Sequence, residues 1–160
     1  MKHALFILIF FACASLVPPS ARSQTDNHTV RVSVAAITAL QVSSGTVNLS
    51  ITGADVIAGQ DLMTATDETT TLLWGTNSSG KKVTVQTSLT SPTYTLKIEA
   101  LSPTQGSSAG QIILSSTPRD FLLNIGRSSG SCTIRYIGEA LASQGVGADA
   151  HTITFTVANQ

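Results

Sequence analysis

The sequence predicts an all-β protein, an immunoglobulin-like sandwich of two sheets with about nine or ten strands, and three observations carry that prediction. Apolar and hydroxyl side chains alternate two by two, as in Thr152-Ile153-Thr154-Phe155-Thr156-Val157. Successive side chains on a strand point to opposite faces, so one face of such a segment is wet and the other buried. The alternating runs are short and separated by clusters of Gly, Pro, Ser and Asn. No segment carries the apolar stripe of an amphipathic helix, and neither an internal repeat nor a low-complexity linker is expected.

The chain begins with a leader. Lys2 and His3 form a small basic region, and Ala4 to Val17 is an apolar run of the size found in signal peptides and too short to span a bilayer. Pro18 and Pro19 end it, and Ala21-Arg22-Ser23 offers small residues where a signal peptidase reads, so residues 1–23 are read as a signal peptide cleaved before Gln24. Cys13 raises lipid attachment as a rival, but Phe10 stands where such signals carry Leu. The mature chain, residues 24–160, is then roughly 137 residues long and forms a single domain.

The first expected strand runs from His28 to Val34, with Val30, Val32 and Val34 on one face and Thr29, Arg31 and Ser33 on the other. Ile37 to Val42 and Thr46 to Thr52 follow, the latter with Val47, Leu49 and Ile51 inward. A long connection from Gly53 to Glu68 leads to Thr70 to Thr76, which places Leu72 and Trp74 on one face. Asn77-Ser78-Ser79-Gly80 is a turn by composition, because Asn and Gly tolerate positive φ, and it predicts a hairpin with Lys81 to Leu89. Beyond Ser91-Pro92, Tyr94, Leu96 and Ile98 line one face. Gln111 to Ser115, Asp120 to Gly126 and Ser131 to Ile137 come next. Gly138 to Gly147 contains Ala140-Leu141-Ala142, readable as a helical turn or a strand end, and Ala150 to Val157 closes the domain.

Charge and cysteine content narrow the function. Nine basic residues balance nine acidic ones, and loss of Lys2 and Arg22 with the leader leaves a slight acid excess. The charges are scattered and aromatic side chains few, so a nucleic-acid partner is not expected. No second apolar span is present and the chain ends on Val157-Ala158-Asn159-Gln160, so the mature protein is expected not to insert in a membrane but to be exported to the periplasm, cell surface or medium. Its only cysteine, Cys132, shares a face with Ile134 and Tyr136 and reads as a buried small hydrophobe without a disulfide partner.

Residue types that carry chemistry are sparse. His28 and His151 stand alone, with no metal-ligand spacing, and no serine occupies a nucleophile-elbow pattern, so no catalytic residues are assigned and no cofactor is expected. Asp55, Asp61 and Asp67 in the long connection are calcium candidates, since gathered carboxylates supply hard oxygen ligands; their spacing of six does not match an EF-hand loop, and ordinary turn and strand-edge acids are the competing reading. The row Thr152, Thr154, Thr156 could form a flat outer platform, and Trp74 could stack on a sugar, although its parity with Leu72 favours the core. Asn27, Asn48 and Asn77 head formal glycosylation triplets.

Two stretches resemble the colonisation-factor type of alternate chaperone-usher pilins. Asp26-Asn27-His28-Thr29-Val30-Arg31-Val32-Ser33-Val34 is similar to that family's N-terminal extension, and Thr76-Asn77-Ser78-Ser79-Gly80-Lys81-Lys82-Val83-Thr84-Val85 to its Thr-Asn turn, paired lysines and Val strand. The C-terminal strand fits too, and the second stretch, with Trp74 ahead of it, also looks like a group of uncharacterised secreted bacterial proteins. The resemblance implies a subunit that lacks one strand and receives its neighbour's extension, with Val30, Val32 and Val34 filling alternate pockets. The expected function is therefore an exported, non-enzymatic structural or adhesive surface protein whose partners are like subunits or other cell-surface proteins. The alternative is a self-contained binding module for a glycan or protein, with His28 to Val34 paired inside its own sheet.

Overall fold

A computed structural model describes residues 25–43 and 45–160. The signal peptide expected over residues 1–23 lies outside the described residues. Residues 25–33 form a unit of their own, without a strand and with every side chain exposed. Residues 34–160 fold as a two-sheet β-sandwich with nine strands among the described residues. No helix of the described residues is long and apolar enough to cross a membrane.

One sheet has the order β1 (Thr38–Val42), β2 (Leu62–Thr76), β8 (Ser128–Leu141), β4 (Thr95–Leu101), β6 (Ile112–Ile113); the other has β5 (Ser107–Ser108), β7 (Arg119–Ile125), β3 (Lys81–Thr87), β9 (Ile153–Asn159). All pairings are antiparallel. Single 3-10 turns, Gly53–Asp55 and Ala142–Gln144, flank β2 and β8. The second makes Ala140-Leu141-Ala142 both a strand end and the start of a helical turn.

The core forms where the two inner faces meet. Leu72, Ile98, Ile134 and Trp74 come from the first sheet, and Val83, Val85, Phe121, Leu122 and Ile125 from the second. Period-two spacing delivers most of them inward: Leu72 and Trp74 along β2, Cys132, Ile134 and Tyr136 along β8, Val83 and Val85 along β3; the consecutive Phe121 and Leu122 are both buried because the register of β7 shifts against β3 there. Phe121 and Phe155 join the layer in a tilted ring contact, centroids 5.4 Å apart and planes at 58°. On the outer face of the first sheet, Arg135 on β8 bonds Glu68 at 2.6 Å and its cross-strand partner Glu99 at 3.3 Å.

Four expectations are corrected. His28 to Val34 is not a strand, because its valines meet no apolar surface that would hold it in a ladder. Thr46 to Thr52 keeps the expected alternation, Val47, Leu49 and Ile51 half-buried between exposed neighbours, but is not a strand either. The connection from Gly53 is shorter than expected, since β2 already begins at Leu62. A bulge between Asp67 and Thr70 explains the miss: it adds a residue on β2 opposite β8, so inward positions are Met63, Ala65 and Asp67 before it and Thr70, Leu72 and Trp74 after it. A break in parity hides a strand from any single alternating template. Finally, Thr70 to Thr76 and Lys81 to Thr87 do not pair as a hairpin. β2 is already flanked by β1 and β8, so the Asn77 to Gly80 turn, with Gly80 at φ 67°, carries the chain across to the other sheet.

Candidate functional site

The two sheets differ in length, and that difference opens the candidate site. β2 and β8 have 15 and 14 residues, whereas β3, β7 and β9 have 7 each. At about 3.3 Å per residue the first pair runs roughly twice as far as the strands facing it. The lower half of the β2–β8 ladder, Leu62 to Asp67 against Tyr136 to Leu141, therefore presents an inner face that sheet β5-β7-β3-β9 is too short to cover.

A groove of about 1000 Å³ results, with Met63, Thr70, Leu96 and Tyr136 on one wall and Ile153 and Phe155 of β9 on the other. The chain from Thr46 to Ile51 also lines it. Leu49 seats against Gly138, where an added Cβ would lie 3.4 Å from Leu49 Cδ1 and 3.7 Å from Leu49 Cβ. A side chain as small as alanine at that rung would stand in ordinary van der Waals contact with the leucine. Thr70 Oγ1, fully buried in the lining, has no hydrogen-bond partner. Burial, with a smaller contribution from the Asp67 charge, pushes the Tyr136 hydroxyl up to about 12, so it stays protonated at neutral pH.

The rim of the groove is polar and tied down. The Tyr94 amide donates to Asp149 at 2.8 Å, and its hydroxyl donates to the Gly145 carbonyl at 3.0 Å. His151 Nδ1 lies 3.0 Å from Thr87 Oγ1, and burial holds the imidazole below its ordinary value while Asp149 pulls the other way. These contacts fix the Gly145 to His151 segment at the groove mouth.

Both strands bordering the seam are edge strands among the described residues, where β1 pairs with β2 alone and β9 with β3 alone, and they lie side by side. The free edge of β9 runs through Thr152-Ile153-Thr154-Phe155-Thr156-Val157, which contains no charged residue and no proline. Edge strands usually carry such residues to prevent pairing with another chain. Thr152, Thr154 and Thr156 all face solvent, as their alternation with Ile153, Phe155 and Val157 requires.

The residues singled out in the sequence fall into separate places. Val30, Val32 and Val34 are 72 %, 83 % and 70 % exposed. The three aspartates each accept hydrogen bonds from separate places, Asp55 and Asp67 from near neighbours in sequence and Asp61 from across the β2–β8 end. Asp55 accepts from the Thr52 amide at 2.7 Å and the Thr52 hydroxyl at 2.9 Å, the former being the main reason its carboxyl sits below the usual range. Asp61 accepts from the Ala142 amide at 3.0 Å, and Asp67 from the Thr69 amide and hydroxyl. Among the described residues no group of three or more His, Cys, Asp or Glu is placed to hold a metal ion. Trp74 is core rather than platform, and Cys132 is buried, its thiol pushed up to about 11 mainly by desolvation. His28 is exposed in the unit 25–33.

Two features have no local signature in the sequence. Asn77 ties down the entry to β1: its side-chain carbonyl accepts from the Ile37 amide at 2.8 Å, and its Nδ2 donates to the Ala35 carbonyl at 2.7 Å. Gln160 holds Asn124, a non-glycine residue at φ 57°, by accepting from its amide at 2.8 Å and donating to its side chain at 3.1 Å. Only the bulge at Asp67, where an acid pair interrupts the alternation, offered a hint of the groove. No family model, no curated protein and no solved structure matches this chain.

Proposed function

We propose that the protein is an exported, non-enzymatic structural or adhesive surface subunit that pairs with like subunits through its N-terminal segment. The observation that carries the reading is complementarity between two unsatisfied features of one chain. Val30, Val32 and Val34 recur at every second position with their apolar surface in water, and β9 offers an uncharged free edge beside an apolar groove. An extended segment added along such an edge gains main-chain hydrogen bonds, while alternate side chains enter the groove and set specificity. Arg31 and Ser33, at the intervening positions, would stay in solvent.

The test is self-association of the purified protein, followed by sedimentation over a range of concentrations. Concentration-dependent assembly that Val32→Asp abolishes, with the β-rich circular dichroism spectrum unchanged, is the expected result. A protein that stays monomeric throughout overturns the reading, and glycan binding by that monomer would put a self-contained binding module in its place.

A further inference from the structure

The hydroxyl of Tyr136 has no hydrogen-bond partner among the described residues, although the residue is only 7 % exposed. Buried tyrosines normally pair their oxygen, since the ring suits an apolar setting and the hydroxyl does not. Thr70 Oγ1 and Trp74 Nε1 also lack partners, but both atoms are sealed from solvent. The Tyr136 oxygen is not sealed, and its side chain lines the groove, so the groove is where a partner can reach it. Desolvation keeps the hydroxyl protonated at neutral pH. It is a donor that needs an acceptor.

The surroundings restrict what can bring one. Met63, Leu96, Ile153 and Phe155 make the neighbouring walls apolar. Among the described residues no lysine or arginine lines the groove, and burial keeps His151 uncharged at neutral pH. An anion would therefore find no counter-charge, and would meet the carboxylate of Asp67, which acts on Tyr136 from the opposite position on β2. A cation has no free seat either. Glu139 is bound by Lys97 at 2.6 Å, Asp149 by the Tyr94 amide, and Asp67 by Thr69. Apolar walls, about 1000 Å³ of space and one aimed polar group are the usual make-up of a small-molecule site, whose volumes run to about 1,000 Å³.

We propose that the groove binds a neutral apolar molecule through one oxygen acceptor, a ketone or ester carbonyl that takes a hydrogen bond from the Tyr136 hydroxyl. The site is complete within one chain. It goes beyond the subunit-pairing reading and does not rest on it; because both use the β9 wall, a bound molecule and a neighbouring subunit exclude each other.

The experiment uses the full chain and, beside it, the full chain carrying Val32→Asp, whose subunits stay apart, so that failure of pairing and failure of ligand binding are read separately. Pyrene, an apolar fluorophore without polar atoms, is titrated first and then displaced with methyl nonyl ketone or with decanoate. Saturable pyrene binding is expected, with the ketone at least about tenfold tighter than decanoate. Tyr136→Phe in the Val32→Asp chain should weaken the ketone about fivefold, the worth of one hydrogen bond, and leave pyrene unchanged. No saturable pyrene binding by the Val32→Asp chain, decanoate equal to the ketone, or a ketone affinity untouched by Tyr136→Phe each overturns the site. If Tyr136→Phe loses pyrene as well, the infrared carbonyl stretch of the ketone bound to the Val32→Asp chain decides: it must lie below its position in alkane, and an unshifted stretch overturns the proposal.

Discussion

Gly130 lies directly opposite Trp74 in the β2–β8 ladder, and the indole occupies the space a side chain would need: a Cβ there would lie 2.5 Å from Trp74 Cζ2. The pair seals the end of the core beside the turn that carries the chain between sheets. Gly130→Ala must push the indole out of a closely packed layer, at a cost of about 1–3 kcal/mol. Urea denaturation should show the lower midpoint, together with a changed tryptophan emission in the native state.

One aromatic contact spans the inner face of the second sheet, from β7 to β9 across β3. Phe121 is completely buried and meets Phe155 across neighbouring parts of the second sheet. Phe121→Ala is expected to cost about 3–5 kcal/mol, a large part of the stability of a domain this size. Phe155→Ala, at a half-buried position on the groove wall, should cost less. Thermal melts of the two variants give the order.

Stability should fall on acidification because of His151. Burial lowers its folded-state value below the 6.5 of a free imidazole, so the unfolded chain takes up a proton at a higher pH than the folded one. The contribution is present above about pH 6.5 and is lost as pH falls through the folded value. His151→Gln, which keeps a hydrogen-bonding group near Thr87, should have a flatter dependence of Tm on pH between 7.5 and 5 than the unsubstituted protein.

Cys132 should be silent toward thiol reagents while the protein is folded. It is 3 % exposed, and desolvation pushes its thiol up to about 11, so at pH 8 little thiolate exists and less is accessible. Labelling with a thiol reagent should track unfolding in denaturant. Fast labelling of native protein would contradict the burial of Cys132 in the core between the two sheets.

Asn77 serves two roles from a turn, and its loss should be felt at the root of the N-terminal segment. Asn77→Ala leaves the Ile37 amide and the Ala35 carbonyl without their partner, costing about 0.5–1.5 kcal/mol at this exposed site. Hydrogen exchange should quicken at Ile37 and along β1, with the β2–β8 ladder unchanged.

Much of the architecture is local information. Side chains at every second position decide which residues face inward, so Leu72, Trp74, Val83, Val85, Cys132 and Ile134 were legible as core from the chain alone, as were the limits of β7 to within one residue, whereas β8 extends three residues before and four beyond the expected Ser131 to Ile137. Partner choice is not local. A turn such as Asn77 to Gly80 can close a hairpin or bridge two sheets, and here the competition of β8 for β2 settles the matter. The bulge at Asp67 reverses parity and lengthens β2, and only a ladder in three dimensions reveals that the longer sheet outruns the shorter. Alternation alone therefore determined a β-sandwich and its core, whereas the groove, the free β9 edge and the place of Thr46 to Ile51 along the groove wall were decided by unequal strand lengths and long-range pairing, which no window of the sequence contains.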